Sequence, residues 1–282
     1  MAQNRIELYN TTCFRCSRLT TNAYSTSFSL GVRCLATQFR DAIHAIYGFV
    51  RFADEIVDSF HAFDKRALLD AFVNDTYRAI SARISTNPIL HSFQLVVNRY
   101  NIGSDLIDAF LKSMEMDLYR TGYDGRGIGE YIYGSAEVVG LMCLKVFCNG
   151  DLAQYERLRE PASKLGAAFQ KVNFLRDIRA DYYELGRVYF PGIDFTHFSR
   201  EQKIEIEKGI QDDFDQAFTG ILQLNRGARF GVYLAYRYYL KLFERIRRVA
   251  PSELLSHRYR ISNFTKLRLL VVCYLRHRAG WY

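Results

Sequence analysis

The sequence predicts an all-α protein, on three observations. Apolar residues recur at steps of three and four rather than in alternation. Only 4 Pro interrupt 282 residues. Hydrophobic residues make up 49% of the chain, including 21 Phe and 20 Tyr, which is enough to bury a large core and excludes disorder. No repeat or linker divides the chain, so residues 1–282 are expected to form a single domain.

Residues 10–19 read as the first helix, followed by a hinge over 20–29 rich in Thr and Ser. The next helix, 37–59, carries a core stripe of Ile43, Ile46, Val50, Ala53 and Val57. Beside it runs a polar stripe of Tyr47, Arg51, Asp54 and Asp58, a pattern suited to lining a cavity. Asp64 is an N-cap for a helix reaching 84, and Asn87-Pro88 is a cap and N1 pair opening another to 100. Gly103-Ser104 precedes a helix ending near Tyr123. The stretch 124–129 has three glycines but lacks the Gly-Lys-Ser/Thr ending of a phosphate loop, so it is read as a turn. Small residues Gly134, Ser135 and Ala136 open the helix over 130–148, leaving room for a neighbouring helix or for a long apolar ligand. Helical patterning then covers 151–186, 199–224, 226–249 and 263–278.

The net charge of +8 admits nucleic acid, an anionic membrane surface or small polyanions as partners. The basic residues are spread rather than gathered in a run, which argues against nucleic acid. Six Cys include Cys13-x-x-Cys16, but no second pair completes a metal site, so all six are expected to be reduced cytosolic thiols. The first residues carry no apolar signal core, and the apolar run 267–275 contains Arg268 and is too short to span a bilayer. A cytoplasmic location is expected, with any membrane contact peripheral and at the inner face.

Chemistry is carried by two acidic helix faces. Asn173, Asp177 and Asp181 fall at i, i+4 and i+8, with Gln170 a turn earlier, and Asp54 and Asp58 repeat the four-residue spacing. Carboxylates four apart repel, and one such pair ordinarily marks a solvated face. Two pairs inside apolar, aromatic helices favour a shared divalent cation instead. With Arg and Tyr nearby, the oxygen donors suit Mg2+ bridging a diphosphate, with Mn2+ as an alternative ion. Departure of that diphosphate from an allylic carbon leaves a carbocation, which needs a dry aromatic wall.

Four segments resemble the squalene/phytoene synthase family: Ser25-Thr-Ser27-Phe28; 45–58, ending Asp54-Glu-Ile-Val-Asp58; 131–142, opening Tyr131-Ile-Tyr-Gly; and Gln170-Lys-Val-Asn173-Phe-Leu-Arg176-Asp177-Ile-Arg-Ala-Asp181, followed by Arg187-Val-Tyr-Phe-Pro191. The resemblance spans nearly the whole chain and implies the all-α isoprenoid synthase fold around a central cavity. It also implies head-to-head joining of two prenyl diphosphates through a cyclopropylcarbinyl diphosphate, with Mg2+ and two losses of diphosphate. By position, Asp54, Asp58, Asn173, Asp177 and Asp181 would hold the metal. Ser25, Ser27, Tyr47, Arg51, Gln170 and Arg176 would contact diphosphate, and Phe28 would be a cavity aromatic. Tyr239 and Arg260 match more loosely. Tyr47 and Arg51 would join the four Asp as catalytic residues. Planar, bidentate Arg donors suit diphosphate oxygens independently of the resemblance.

Two departures from the family pattern stand out. Ser135-Ala136-Glu137 replaces the common Val-Ala-Gly, putting a carboxylate near the cavity helix that either faces away or pairs with Arg. The first acidic motif has Glu55 at its second position. The Gly140-Leu-Met142 wording and the chain length resemble phytoene synthases, which implies geranylgeranyl diphosphate as substrate, a place in carotenoid biosynthesis and no NADPH. The alternatives are dehydrosqualene or squalene synthesis from farnesyl diphosphate and, in another class, a non-catalytic assembly factor of the same fold.

Overall fold

In the computed structural model, which describes residues 2–119, 122–184, 186–193 and 195–281, the helices are α1 Ala2–Tyr24, α2 Thr26–Arg33, α3 Thr37–Asp58, α4 Lys65–Ala82, α5 Pro88–Tyr100, α6 Ser104–Tyr119 and α7 Gly125–Ile132. They continue with α8 Val138–Cys148, α9 Leu152–Arg179, α10 Arg200–Ile221, α11 Arg226–Arg247, α12 Pro251–Leu254 and α13 Asn263–Ala279. Among the described residues there is no strand, only a single bridge between Gly122 and Val188. The all-α expectation is met.

Side-chain caps set many of the boundaries. Asp64 Oδ1 accepts from Ala67 N, and Asn87 Oδ1 from Ile89 N at 3.0 Å, as their sequence positions predict. Two expectations are corrected. The Thr-rich hinge over 20–29 is mostly helix: Thr20 Oγ1 donates to Cys16 O and Thr21 Oγ1 to Ser17 O, so these hydroxyls are absorbed within α1. The break shrinks to Ser25, which caps α2 by accepting from Phe28 N. The glycine-dense stretch after Tyr123 is not a turn, because Asp124 Oδ1 accepts from Gly127 N at 2.6 Å and starts α7 there.

The chain from Gly125 to Cys148 forms one helical run, widened to π-helix over Tyr133–Glu137. It is the one run among the described residues long and apolar enough to cross a membrane, yet 56% of its most apolar window is buried inside the protein. Its small residues serve both purposes left open by the sequence. A Cβ on Gly134 would lie 2.4 Å from Ala109 O, so α6 requires glycine there, while Ser135 and Ala136 face a cavity. On the facing helix a Cβ at Gly166 would lie 2.7 Å from Ala136 O, so α9 packs backbone to backbone against the widened turn.

Among the described residues three apolar clusters form the core, the smallest of them around Tyr131, Phe174 and Tyr189; the two larger ones flank the cavity. One joins residues of α3 to α6 and α8, around the Phe49–Phe93 stack at 3.9 Å; the other joins α9, α10 and α11, with Cys273 of α13. Between them lies a cavity of about 400 Å³.

Candidate active site

The cavity is built from helix stripes that the sequence sets in register. Along α9 it is lined by Leu158, Ala162, Leu165, Phe169, Gln170 and Asn173, all at steps of one, three or four residues. From Leu158 to Asn173 this stripe covers about 22 Å at 1.5 Å per residue. On α3, Ile43, Ile46, Val50 and Asp54 run alongside, and on α8 the stripe ends at Phe147. Apolar side chains dominate the deep part, where Ile221 and Leu224 join Phe147 and Leu158, and polar groups gather at the other end.

At the polar end, Ser25, Ser27, Phe28, Tyr47, Asp54, Gln170, Asn173 and Tyr239 all line the cavity. Phe28 stacks on Tyr47 at 4.9 Å and Phe169 on Tyr239 at 3.9 Å, giving two aromatic faces. Burial pushes the Tyr47 hydroxyl up to about 12, so it remains a donor. Gln170 Nε2 donates to Ser135 Oγ, and Tyr239 OH donates to Asn173 Oδ1 at 3.4 Å. Arg51 lies over the Tyr24 ring and pairs with Glu55, and its Nε is buried with no hydrogen-bond partner.

The acidic faces approach one another at this end of the cavity, where Arg187 donates through its backbone N to Asp181 O and through its side chain to Asp58. Burial, then Asp58, pushes Asp54 up to about 7, with Arg51 opposing. Burial, then Asp177, pushes Asp181 up to about 7; Arg187 opposes and Asp58 adds, so the two acidic pairs sense one another across the mouth. Asp177 is gripped by Arg176 Nη2 at 2.5 Å and Arg258 Nε at 2.6 Å.

Three further residues at the mouth were not singled out by the sequence. Arg187 donates to Asp58 Oδ1 at 3.2 Å and to Asp117 O at 3.1 Å, tying the segment after α9 to the first acidic motif. Asp117 is buried, accepts from Tyr131 OH at 2.8 Å, and is pushed up to about 6 by burial. Arg258, on an exposed stretch, reaches Asp177; Arg260, the looser substrate match of the resemblance, is exposed as well, and its carbonyl accepts from Arg245. Signals existed for Arg187, inside the quoted Arg187-Val-Tyr-Phe-Pro191, and for Arg258, two residues from the expected Arg. Nothing singled out Asp117. Glu137 faces away from the cavity; burial raises it, while Lys164 and Lys171, which also hold buried Asp213 at 3.4 and 2.6 Å, offset the cost.

The donor set can be tested for a metal. Among the described residues no three His, Cys, Asp or Glu gather to hold a bare ion. The mouth instead offers separated carboxylate and amide oxygens with Arg donors between them. That composition suits Mg2+, which commonly takes one or two carboxylates and draws its remaining ligands from phosphate and water.

Comparison with known proteins shows the family and the fold. The sequence profile of the squalene/phytoene synthase family matches residues 21–265. The chain is 29% identical over 293 residues to the 15-cis-phytoene synthase of Synechocystis sp., covering 92% of this chain and 83% of that protein. It is 26% identical to the 4,4'-diapophytoene synthase of Staphylococcus haemolyticus, covering 87% and 90%. The fold superposes on the crystal structure of a dehydrosqualene synthase in complex with ligand with a TM-score of 0.82, at 20% identity, over 96% of this chain and 98% of that one.

Proposed function

Because the chain belongs to the squalene/phytoene synthase family and is a prenyltransferase, we propose that it condenses two geranylgeranyl diphosphates head to head to phytoene, in carotenoid biosynthesis. On this reading the chain acts as one catalytic domain in the cytoplasm, and the reaction passes through a cyclopropylcarbinyl diphosphate without a reductant. The observation that carries it is the α9 stripe, in which the polar groups Gln170 and Asn173 sit at one end and about 17 Å of apolar wall follows from Phe169 to Leu158. An extended geranylgeranyl chain, at about 1.2 Å per backbone bond, needs roughly 19 Å, and a farnesyl chain roughly 14 Å. The longer chain uses the whole apolar stripe and reaches Phe147, Ile221 and Leu224 at its deep end, whereas the shorter one stops before them.

Asp54, Asp58, Asn173, Asp177 and Asp181 would hold Mg2+, which when bound supplies charge neutralisation for the departing diphosphate. Arg51, Arg176, Arg187 and Arg258 orient the diphosphate oxygens, with Ser25, Ser27, Tyr47 and Gln170 as further donors. The Phe28–Tyr47 and Phe169–Tyr239 stacks turn π faces toward the cavity and stabilise positive charge on the allyl group. The apolar wall excludes the water that would capture that cation.

A second reading, two farnesyl diphosphates joined to a C30 product, is favoured by the 4,4'-diapophytoene synthase relative. Separate incubations with geranylgeranyl and farnesyl diphosphate, each with Mg2+ and with or without NADPH, decide between them. The expected result is a C40 hydrocarbon with a central triene, equal in both NADPH arms. A C30 product made faster from farnesyl diphosphate would overturn the chain-length assignment.

A further inference from the structure

Four side chains from three helical segments form one hydrogen-bonded chain along the polar end of the cavity, which all four line. Tyr239 OH of α11 donates to Asn173 Oδ1 at 3.4 Å, Asn173 Nδ2 donates to Gln170 Oε1 at 3.5 Å, and Gln170 Nε2 donates to Ser135 Oγ at 3.3 Å. Ser135 Oγ in turn donates to Tyr131 O at 2.8 Å, the shortest link.

This chain runs in one direction, and Ser135 sets it. A hydroxyl carries a single proton, and Ser135 spends it on the carbonyl behind it, so toward Gln170 it can only accept. Gln170 therefore turns its NH2 to Ser135 and its oxygen to Asn173. Asn173 answers with its own NH2, which leaves Oδ1 at the other end, beside Tyr239. That oxygen is the one end of the side chain able to ligate a hard cation; an amide turned the other way would present protons in its place.

The turn that carries Ser135 is held on α9 by its backbone. Gly166 lies one turn before Gln170, and a Cβ there would come 2.7 Å from Ala136 O, so the π-helical turn rests directly on α9. Glu137, on the side away from the cavity, is attracted by Lys164 and Lys171 of the same helix. Ser135 thus meets Gln170 from a fixed position.

We propose that Ser135 is a positioning residue for the cation site: by accepting from Gln170 it orients the Asn173 amide so that Oδ1, and not Nδ2, is offered to the metal. This role rests on the cation site assigned to Asn173 above, and it holds for either prenyl chain length.

The test uses Mn2+ with inorganic diphosphate, whose joint binding to the full chain is measured by calorimetry, so that neither a prenyl chain nor turnover enters. Ser135→Ala is expected to weaken binding about fivefold to tenfold, the usual scale for one lost hydrogen bond, with the melting temperature unchanged. Ser135→Thr, which keeps the hydroxyl, is expected to stay within about twofold of the native chain. The deciding arm is Asn173→Asp, whose two oxygens have no orientation to lose: in that background Ser135→Ala is expected to change binding by less than about twofold. Equal weakening by Ser135→Ala in both backgrounds, or no weakening in the native chain, would overturn the role of Ser135 while leaving the cation site intact. Failure of the native chain to bind Mn2+ with diphosphate would overturn the site and this role together.

Discussion

Asp177→Ala and Asp54→Ala are each expected to lower turnover by about a thousandfold or more, corresponding to several kcal/mol of lost charge stabilisation at the leaving diphosphate, while the fold is retained. The two carboxylates lie on opposite walls of the mouth, so neither wall substitutes for the other. Asp177 is held between Arg176 and Arg258, and its removal leaves two guanidiniums without their acceptor exactly where diphosphate should be oriented. Asp54 is already penalised by burial and by Asp58, so its loss relieves repulsion in the free protein. Stability should therefore change little or rise, as measured by circular dichroism and thermal unfolding beside the activity assay. A scaffold or assembly factor with solvated acidic faces would instead leave both variants near neutral. Normal turnover in either variant, assayed with Mg2+ and prenyl diphosphates, would remove the catalytic reading.

The second large effect is on pH. Asp54 and Asp181 titrate near 7 in the free protein, and both must be ionised to ligate a cation. Below pH 7, kcat/KM should fall about tenfold per unit if one of them must lose a proton to bind, and up to about a hundredfold if both must. Bound cation favours the ionised forms, so kcat at saturating Mg2+ and substrate should fall later than kcat/KM. The stability effect has the opposite sign. Between about pH 4, the ordinary range of a carboxylate, and about 7, the folded chain holds protons that the unfolded chain has released. The ligand-free protein should therefore lose stability from these two groups as pH rises through that window. Parallel melting curves with and without Mg2+ and diphosphate should show the ligands recovering the loss at high pH. A kcat/KM flat from pH 5 to 8 would contradict the assignment.

What the sequence revealed follows from contiguity. The acidic and apolar stripes of α3, and of α9 with the π turn Ala180–Glu184 that continues it, each lie on one helical run, so spacing alone could group Asp54 with Asp58 and Asn173 with Asp177 and Asp181 as candidates. Arg187 and Arg258 reach the same mouth from positions 129 and 81 residues away from Asp58 and Asp177, and no local period connects them. Asp117 is further hidden, because its role is visible only once Tyr131 and Arg187 converge on it from separate segments. The errors in the elements are local competitions. Thr20 and Thr21 look like loop residues, but their hydroxyls return to carbonyls of the preceding turn, and the glycines after Asp124 look like a turn until the Asp124 side chain caps a helix. Glu137 gave no sequence cue to its direction, because its Lys164 and Lys171 partners belong to another helix.

The central claim is that one cavity uses its two acidic walls to release two diphosphates while joining two identical chains. Its most direct test is stoichiometry: purified protein, one prenyl diphosphate as sole substrate, and simultaneous measurement of hydrocarbon and released diphosphate with Mg2+ or with chelator. The expected result is two diphosphates per hydrocarbon, with neither product formed in chelator. One diphosphate per product, or a prenyl alcohol in place of a joined hydrocarbon, would contradict the claim.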